Sequence, residues 1–209
     1  KYFREEFSFE EIKKWFDDLM EEYGKWATFQ CEMKNQRQAS IKELDFPYEY
    51  RPGQKKLVSD VYRTIMRQKL LFMQAPTGVG KTISTIFPAV KAVGEELADR
   101  IFYLTAKTIT ATVAKETFAL LEKNGYRAKT IQITAKEKLC PCDEMECNPV
   151  TCPYAKGHFD RVNDAVFDLL HRCEMIERDD ILSQADRYTV CPFELCLDTA
   201  SWWDNVICD

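Results

Sequence analysis

A glycine-rich segment around residue 80 carries the strongest chemical signal in the sequence. An apolar run, Leu70–Met73, leads into APTGVGKT, and residues with helical spacing follow. A strand, a glycine loop and a helix in this order turn backbone N–H groups towards phosphate, while the closing Lys and Thr supply a charge for the β and γ phosphates and a hydroxyl for Mg²⁺. A chance glycine-rich turn would lack the flanking strand and helix. We therefore predict a phosphate-binding loop made of Ala75, Pro76, Thr77, Gly78, Val79, Gly80, Lys81 and Thr82, with Ala75 in place of the motif's first glycine.

The RPGQ segment upstream of this loop offers a second nucleotide contact. Gln54 carries a paired donor and acceptor, which is what the edge of an adenine base requires. A turn followed by a solvated helix face explains the same residues equally well. Arg51 and Gln54 are therefore candidate adenine-side residues, and both interpretations are open at this point.

Nine cysteines occur in a chain whose first residues lack the apolar core of a secretion signal. In a reducing compartment, metal binding explains such thiols better than disulfides do. Cys140, Cys147 and Cys152 lie close together in KLCPCDEMECNPVTCPY and Cys191 returns in TVCPF, so four thiolates can close one metal site. The loose spacing and the prolines that follow favour an iron–sulfur cluster modestly over zinc, whose sites more often show paired CxxC. The candidate ligands are Cys140, Cys147, Cys152 and Cys191.

The other five cysteines need separate interpretations. Cys142 lies among the candidate ligands, and its spacing does not exclude it as a replacement for a neighbour. Cys31, Cys173, Cys196 and Cys208 fall on expected helix or strand faces, where a small buried apolar residue is the better interpretation.

Composition narrows the class of protein. Hydrophobic residues at 45% and charged residues at 30% are typical of a soluble globular chain. No apolar stretch is long enough to span a membrane, so we expect a cytoplasmic protein without a membrane partner. The formal net charge of −5 means that nucleic acid would have to bind a local basic strip. Because the chain begins with Lys1 and not Met, we expect a fragment of a longer protein.

Helical and strand periodicities alternate along most of the chain. SFEE at Ser8 predicts a capping box, and a stripe of Ile12, Trp15, Phe16, Leu19 and Tyr23 predicts a helix packed against a core. We then predict a helix from Gln54 to about Arg67, a strand Leu70–Met73, a helix Lys81–Leu97, a strand Ile101–Thr105, a helix to about Leu121, a strand Thr130–Thr134 and a return strand Val206–Cys208. Pro88 interrupts the helix Lys81–Leu97 and is expected to kink its axis or to lie in an irregular turn. This alternation predicts an α/β fold with a parallel sheet covered on both faces and interrupted by a cysteine-rich insertion.

The ordered set of RPGQ, APTGVGKT, YLTAKT and the four-cysteine insertion resembles the XPD and DinG family of superfamily 2 iron–sulfur DNA helicases, over Phe46–Asp209. The resemblance implies a RecA-like P-loop motor domain with an inserted, mainly helical iron–sulfur domain, preceded by the N-terminal helix. It implies ATP-driven movement 5′ to 3′ on single-stranded DNA in repair or replication, with Mg²⁺ and a [4Fe–4S] cluster as cofactors. Lys81 and Thr82 would be catalytic, and RPGQ would contact adenine. The four candidate cysteines would hold the cluster, whereas Cys142 has no counterpart in the family.

The resemblance also divides the chain into parts. Residues 1–45 form an N-terminal helical segment, 46–134 the first part of the ATP-binding domain, 135–200 the cluster insertion and 201–209 a return strand. Asp209 ends an apolar strand as a Mg²⁺-binding Asp would, but in the family that carboxylate comes later, with a second motor domain and an Arch domain. We expect these parts elsewhere in the same protein, and we expect this fragment to bind nucleotide better than it hydrolyses it.

The path of DNA is predicted from the family and from charge. Thr105 in YLTAKT matches the motif that touches the DNA backbone, and Lys136 matches a basic position near the cluster. Lys156 and Arg161 add cations beyond the clustered cysteines, and Tyr154 can stack a base without reading its identity. The alternative is that these charges form an ordinary solvated surface.

Two other functions stay open on the sequence alone. In one, zinc staples the insertion and the loop serves as a nucleotide-gated switch in a DNA-binding module without motor activity. In the other, the loop belongs to a kinase or another small-molecule transferase, which leaves the cysteine insertion without a role.

Overall fold

A computed structural model describes residues 4–76 and 78–208 of the chain. Helices and short strands follow one another in it, which agrees with the predicted α/β class. In chain order the elements are α1 Phe9–Glu43, α2 Gln54–Met66, α3 Lys81–Gly94, β1 Ile101–Leu104, α4 Thr108–Lys123, β2 Thr130–Ile133, α5 Lys136–Leu139, α6 His158–Arg172, β3 Met175–Ile176, α7 Arg178–Tyr188, α8 Pro192–Ala200 and β4 Asn205–Cys208. Within those two ranges, no helix has both the length and the apolar character that crossing a bilayer requires.

The four strands of the described residues form one parallel sheet, in the order β1, β4, β2, β3. β4 comes last in the chain yet lies between β1 and β2, where Val206 is paired with both Phe102 and Ile131. Helical crossovers connect the strands because parallel pairing requires the chain to return over the sheet. The predictions of a parallel sheet and of a returning strand are confirmed.

Each face of the sheet carries its own apolar core. α3, α4 and the end of α1 cover one face, and Phe118 and Ile207 belong to the core there. α6, α7 and α8 cover the other face at β2 and β4, where Trp203 packs in one core with Ile131 and Val206. The segment between β2 and β4 is therefore a full layer of the domain, and it even extends the sheet through the two residues of β3.

The predicted strand Leu70–Met73 is wrong, because these residues form an irregular and exposed segment. A strand needs a neighbour for its N–H and C=O groups, and none of the described strands lies alongside this run. β1 is an edge strand that pairs only with β4, and its Phe102 and Leu104 side chains are exposed. The expectation of a sheet covered on both faces holds at β2 and β4 and fails at β1.

α1 begins as predicted but does not bury the predicted stripe. The Ser8 hydroxyl accepts the Glu11 N–H at 3.2 Å and the Glu11 carboxylate accepts the Ser8 N–H at 2.8 Å, which confirms the capping box. Aromatic contacts with the domain begin only at Trp26, whose ring centroid lies 4.9 Å from that of Phe167. An amphipathic pattern predicts an apolar face without identifying what covers it. The five stripe residues are all exposed, namely Ile12, Trp15, Phe16, Leu19 and Tyr23.

Two smaller expectations have mixed outcomes. Pro88 lies inside the predicted helix but neither ends it nor forms an irregular turn, because α3 continues past Pro88 to Gly94. Among the cysteines expected to be small buried residues, Cys196 is buried and Cys173 and Cys208 are half-buried. Cys31 is exposed, so that expectation is wrong for Cys31, since most positions along this part of α1 face solvent.

Candidate functional site

The phosphate-loop segment has the predicted helix after it but lacks the predicted strand before it, so only one of its two expected flanking elements is formed. Gly78 and Gly80 have φ angles of +87° and +76°, a conformation that L side chains rarely adopt. α3 starts directly after them, and no side chain caps its first turn. The first N–H groups of a helix are unsatisfied by the helix itself, so this end of α3 presents donors and a partial positive charge. Thr77, the remaining predicted contact of the loop, lies outside the described residues.

The Lys81 side chain reaches back across the loop to its first residues. Its exposed ammonium donates to the carbonyl oxygens of Ala75 at 3.1 Å and Pro76 at 3.0 Å. Neutral carbonyls are weaker acceptors than phosphate oxygens, so an incoming phosphate can take over this ammonium. Thr82 follows on the first turn of α3, half-buried beside Lys81.

The RPGQ segment is packed directly against this loop. Gln54 is 3% exposed, and its carbonyl oxygen accepts the Arg51 N–H at 3.0 Å. A Cβ atom added to Gly80 would lie 2.7 Å from the Gln54 amide nitrogen, so Gly80 is required both by its φ angle and by this close approach. The Arg51 guanidinium donates to the Gly78 carbonyl. Gln54 is thus not on a solvated helix face, and the structure joins the two predicted nucleotide segments.

The four candidate metal ligands line one cavity of about 490 Å³, together with Cys142. The Cys142 and Cys152 sulfur atoms are 4.0 Å apart, and the Cys140 sulfur lies 3.9 Å from the Cys142 carbonyl. Proline and phenylalanine side chains form much of the wall: Pro141, Pro149, Phe159, Pro192 and Phe193. Cys191, distant in sequence, is therefore brought to the other three candidates as predicted.

Helix ends and one buried histidine set the positions of these thiols. Cys140 is the residue that ends α5, and Cys191 precedes Pro192 at the start of α8. The His158 ring accepts the Cys191 N–H through Nδ1 at 3.2 Å, and its Nε2 lies 3.3 Å from the Asp198 carboxylate. His158 is 4% exposed, and both ring nitrogens are engaged. His158 therefore positions Cys191 and is not itself available as a metal ligand.

Burial makes the thiols of the cavity harder to ionise. Burial, with contact from Cys152, raises the pKa of Cys142 to about 11, and burial also raises the pKa of Cys191. A hydrogen bond with Cys147 raises the pKa of Lys136, which lines the same cavity. Crowded thiols resist becoming thiolates unless positive charge joins them. Lys136 supplies one such charge, and a metal centre would supply more.

The spacing of the thiols differs from that of a site for one ion. In the described residues, no group of three or more Cys, His, Asp or Glu side chains is close enough to hold a single metal ion. A tetrahedral zinc with 2.3 Å bonds holds its thiolates roughly 3.8 Å apart. The described thiols line one cavity without forming a site for a single ion, although the Cys142 and Cys152 sulfur atoms, 4.0 Å apart, come near that distance.

The predicted DNA contacts fall into two places. Thr105 follows β1 at the carboxyl end of the sheet, half-buried, with its hydroxyl 3.3 Å from the Lys107 N–H. Lys136 and Tyr154 line the cysteine cavity, and Lys156 is exposed nearby. Arg161 is occupied, since it donates to the carbonyls of Tyr188, Lys156 and Thr189 at 2.8, 2.8 and 2.6 Å. Arg161 thus links backbone carbonyls of two segments, and of the predicted DNA-binding residues it is the least available to a phosphate.

Sequence reasoning missed the His158 and Asp198 pair, because a single His within KGHFDR has no spacing that signals its role. Its position beside a cysteine that precedes proline depends on how α6 packs against α8. No protein-family model matches the chain, and no curated protein sequence matches it either.

Proposed function

We propose that this chain is the ATP-binding and cluster-bearing part of an ATP-dependent DNA helicase of the XPD and DinG type. The observation that carries the proposal is that the segment between two neighbouring strands, β2 and β4, folds its four candidate cysteines around one cavity. A kinase or small-molecule transferase would leave this cysteine-rich layer between β2 and β4 without a role. A RecA-like motor domain with an inserted iron–sulfur domain explains both the loop and the cavity.

ATP with Mg²⁺ is the nucleotide proposed for the loop. The backbone N–H groups around Gly78 and Gly80 would surround the β and γ phosphates, Lys81 would leave its two carbonyls for them, and the Thr82 hydroxyl would approach Mg²⁺. Gln54, packed on Gly80, would hold the loop closed on the side where adenine binds. Hydrolysis needs a carboxylate and a second motor domain, which we assign to other parts of the same protein.

A [4Fe–4S] cluster is the group proposed for the cavity, with Cys140, Cys147, Cys152 and Cys191 as its ligands. The soft thiol donors and the volume of about 490 Å³ fit it, and His158 already fixes the backbone of Cys191. When bound, the cluster would tie the start of the insertion to α8 and would supply one-electron redox chemistry. Single-stranded DNA would then pass Thr105 and the surface formed by Lys136, Tyr154 and Lys156.

Metal content and nucleotide binding test this function together. Protein purified without oxygen should be brown and contain iron and sulfide, and serine at any of the four ligand positions should lose the iron because one open position releases both ends of the insertion. Cys173→Ser, at a half-buried thiol outside the cavity, is the matched control and should keep it. Full iron content in Cys191→Ser contradicts the ligand set, and full-length protein whose ATP turnover ignores single-stranded DNA contradicts the helicase.

A zinc-stapled, nucleotide-gated DNA-binding module is the second candidate. The 4.0 Å separation of the Cys142 and Cys152 sulfur atoms favours it, because that distance is close to the roughly 3.8 Å edge of a zinc tetrahedron. Colourless protein with one zinc per chain, lost in Cys142→Ser, would establish this module instead.

A further inference from the structure

Cys142 has no role in the proposed cluster, although it lies among the candidate ligands. Its sulfur is 4.0 Å from that of Cys152, and the two are unbonded in the structure. Both thiols are half-buried on the wall of the same cavity. No helix or strand is formed from Pro141 to Thr151, so the chain between the two cysteines is irregular throughout.

We propose that Cys142 and Cys152 form a reversible disulfide, which makes Cys142 a modification site that competes with metal binding. Bonding requires the sulfur atoms to approach from 4.0 Å to about 2 Å. Cys152 is held by its backbone, since its N–H donates to the Asn148 carbonyl at 3.0 Å and its carbonyl accepts from the turn that leads into α6. Cys142, in the irregular loop, is the partner that moves.

The oxidant is a low-molecular-weight disulfide such as oxidised glutathione. The thiolate of one cysteine attacks a glutathione sulfur, which breaks the glutathione disulfide, forms a mixed disulfide and releases one glutathione thiolate. The second cysteine thiolate attacks the protein sulfur of the mixed disulfide and releases the second glutathione thiolate. Two protein thiols are oxidised, one disulfide is reduced to two thiols, and the two protons pass to the released glutathione.

A disulfide between Cys140 and Cys142 is the competing pairing, and it is disfavoured. Cys140 and Cys142 are separated only by Pro141, and a disulfide across one residue strains the bond geometry. The Cys140 sulfur is directed at the Cys142 carbonyl, at 3.9 Å.

A disulfide between Cys142 and Cys152 would remove Cys152 from the ligand set, and a lost cluster could not be rebuilt until a reductant cleaves the bond. This consequence rests on the proposed function, whereas the disulfide itself does not.

Disulfide mapping of the metal-free chain tests the bond. Trypsin alone leaves four of these cysteines on one peptide, so cleavage after Glu144 and Glu146 is added to separate Cys142 from Cys152. After treatment with oxidised glutathione and alkylation of the remaining thiols, mass spectrometry should find the two peptides joined, and a reductant should part them. Because Cys140 shares a peptide with Cys142 and Cys147 shares one with Cys152, the joined pair should disappear in Cys142→Ser and in Cys152→Ser, and should persist in Cys140→Ser and in Cys147→Ser. The reverse pattern, or no joined pair in the unsubstituted chain, overturns the proposal.

Reconstitution with iron and sulfide tests the competition separately. Oxidised, unsubstituted protein should take up little iron until it is reduced, while Cys142→Ser should take up iron equally with or without the oxidising step. Equal uptake by both proteins after oxidation overturns the competition. A mapped disulfide in protein that never takes up iron supports the modification site and contradicts the cluster.

Discussion

Lys81 carries the charge on which the proposed nucleotide binding depends. Its ammonium is exposed and, among the described residues, donates to the carbonyls of Ala75 and Pro76, so it contributes little to packing. Lys81→Ala should therefore weaken ATP binding about 10- to 100-fold, the equivalent of the 1.5–3 kcal/mol of a hydrogen bond to a charged group. Titration with a fluorescent ATP analogue measures this change.

The control for Lys81 is Lys123→Ala, in the last turn of α4 and away from the loop. Both variants should unfold at the same temperature as the unsubstituted chain. An ATP affinity that is unchanged in Lys81→Ala would count against the phosphate-loop assignment.

His158 is expected to act through the backbone of Cys191. His158→Ala removes the acceptor of the Cys191 N–H, now at 3.2 Å, and should lower the iron retained per chain. His158→Asn puts an amide oxygen near the place of Nδ1 and should recover part of that iron. Iron analysis beside thermal unfolding separates positioning from stability, because a merely structural role predicts equal iron in the two variants at equal unfolding temperature.

At the scale of elements, α4 places the carboxylate of Glu122 in a partly buried position. The Glu122 Oε1 atom is buried and has no hydrogen-bond partner among the residues that the structure describes. Burial, with Glu174 nearby, raises the pKa of Glu122 from 4.5 to about 7. A raised carboxyl pKa means that the folded state keeps a proton that the unfolded state has released. Its contribution to stability is complete below pH 4.5 and is lost as the pH rises through about 7.

Glu122→Gln should remove that loss. The variant should match the unsubstituted chain at pH 5 and unfold about 2–4 °C higher at pH 8, which corresponds to about 1 kcal/mol after allowance for partial exposure. Glu116→Gln, at an exposed position of the same helix, is the control and should shift neither value. Thermal unfolding at the two pH values decides, and a larger gain at pH 5 than at pH 8 would give the wrong sign.

The elements that the sequence predicted well are those whose signal is local. α2, β1 and β2 begin at their predicted first residues, and α4 ends two residues after its predicted end, because helical spacing and short apolar runs are read from neighbouring residues. Leu70–Met73 and the stripe of α1 failed for one reason, since each needs a partner that periodicity does not name. The two residues of β3 are too few to carry a pattern.

In the candidate site, too, some features have a local sequence signal and others depend on tertiary packing. The positive φ angles of Gly78 and Gly80 follow from the motif, and metal-ligand chemistry predicted that Cys191 would join the other thiols. The burial of Gln54 against Gly80 and the engagement of both His158 nitrogens depend on contacts between helices distant in sequence. Such contacts are decided by packing and leave no local trace.

At the scale of the whole molecule, the two cores link the predicted phosphate loop to the cysteine cavity through one sheet. α3 rests on one face and α8 on the other, and Ile207 and Val206 of β4 belong to the two cores in turn. Trp203, directly before β4, is fully buried, and burial of a large apolar side chain contributes roughly 1.5–3 kcal/mol. Loss of packing around β4 should therefore disturb both the phosphate loop and the cysteine cavity, because the helices that carry them pack on opposite faces of this strand.

The whole-molecule charge makes the DNA path measurable. With a net charge of −5, the chain can hold single-stranded DNA only where cations are concentrated. Lys156 is exposed and has no ion-pair partner within the described residues, whereas the Lys136 ammonium lies 5.8 Å above the Phe193 ring beside the cavity. Removing both as Lys136→Ala with Lys156→Ala should flatten the slope of log affinity against log salt by about 1.4, at 0.7 for each phosphate contact.

Lys13→Ala with Lys14→Ala is the matched control, because it removes the same charge from the exposed first half of α1, where both lysines are paired with Asp17 and Asp18. The control should leave the salt slope unchanged, since net charge alone does not set the number of phosphates contacted. Salt titrations of DNA binding by fluorescence anisotropy measure both slopes. If the cavity variant keeps its slope while binding survives, single-stranded DNA does not pass the cysteine cavity, and the basic surface beside it is only solvated charge.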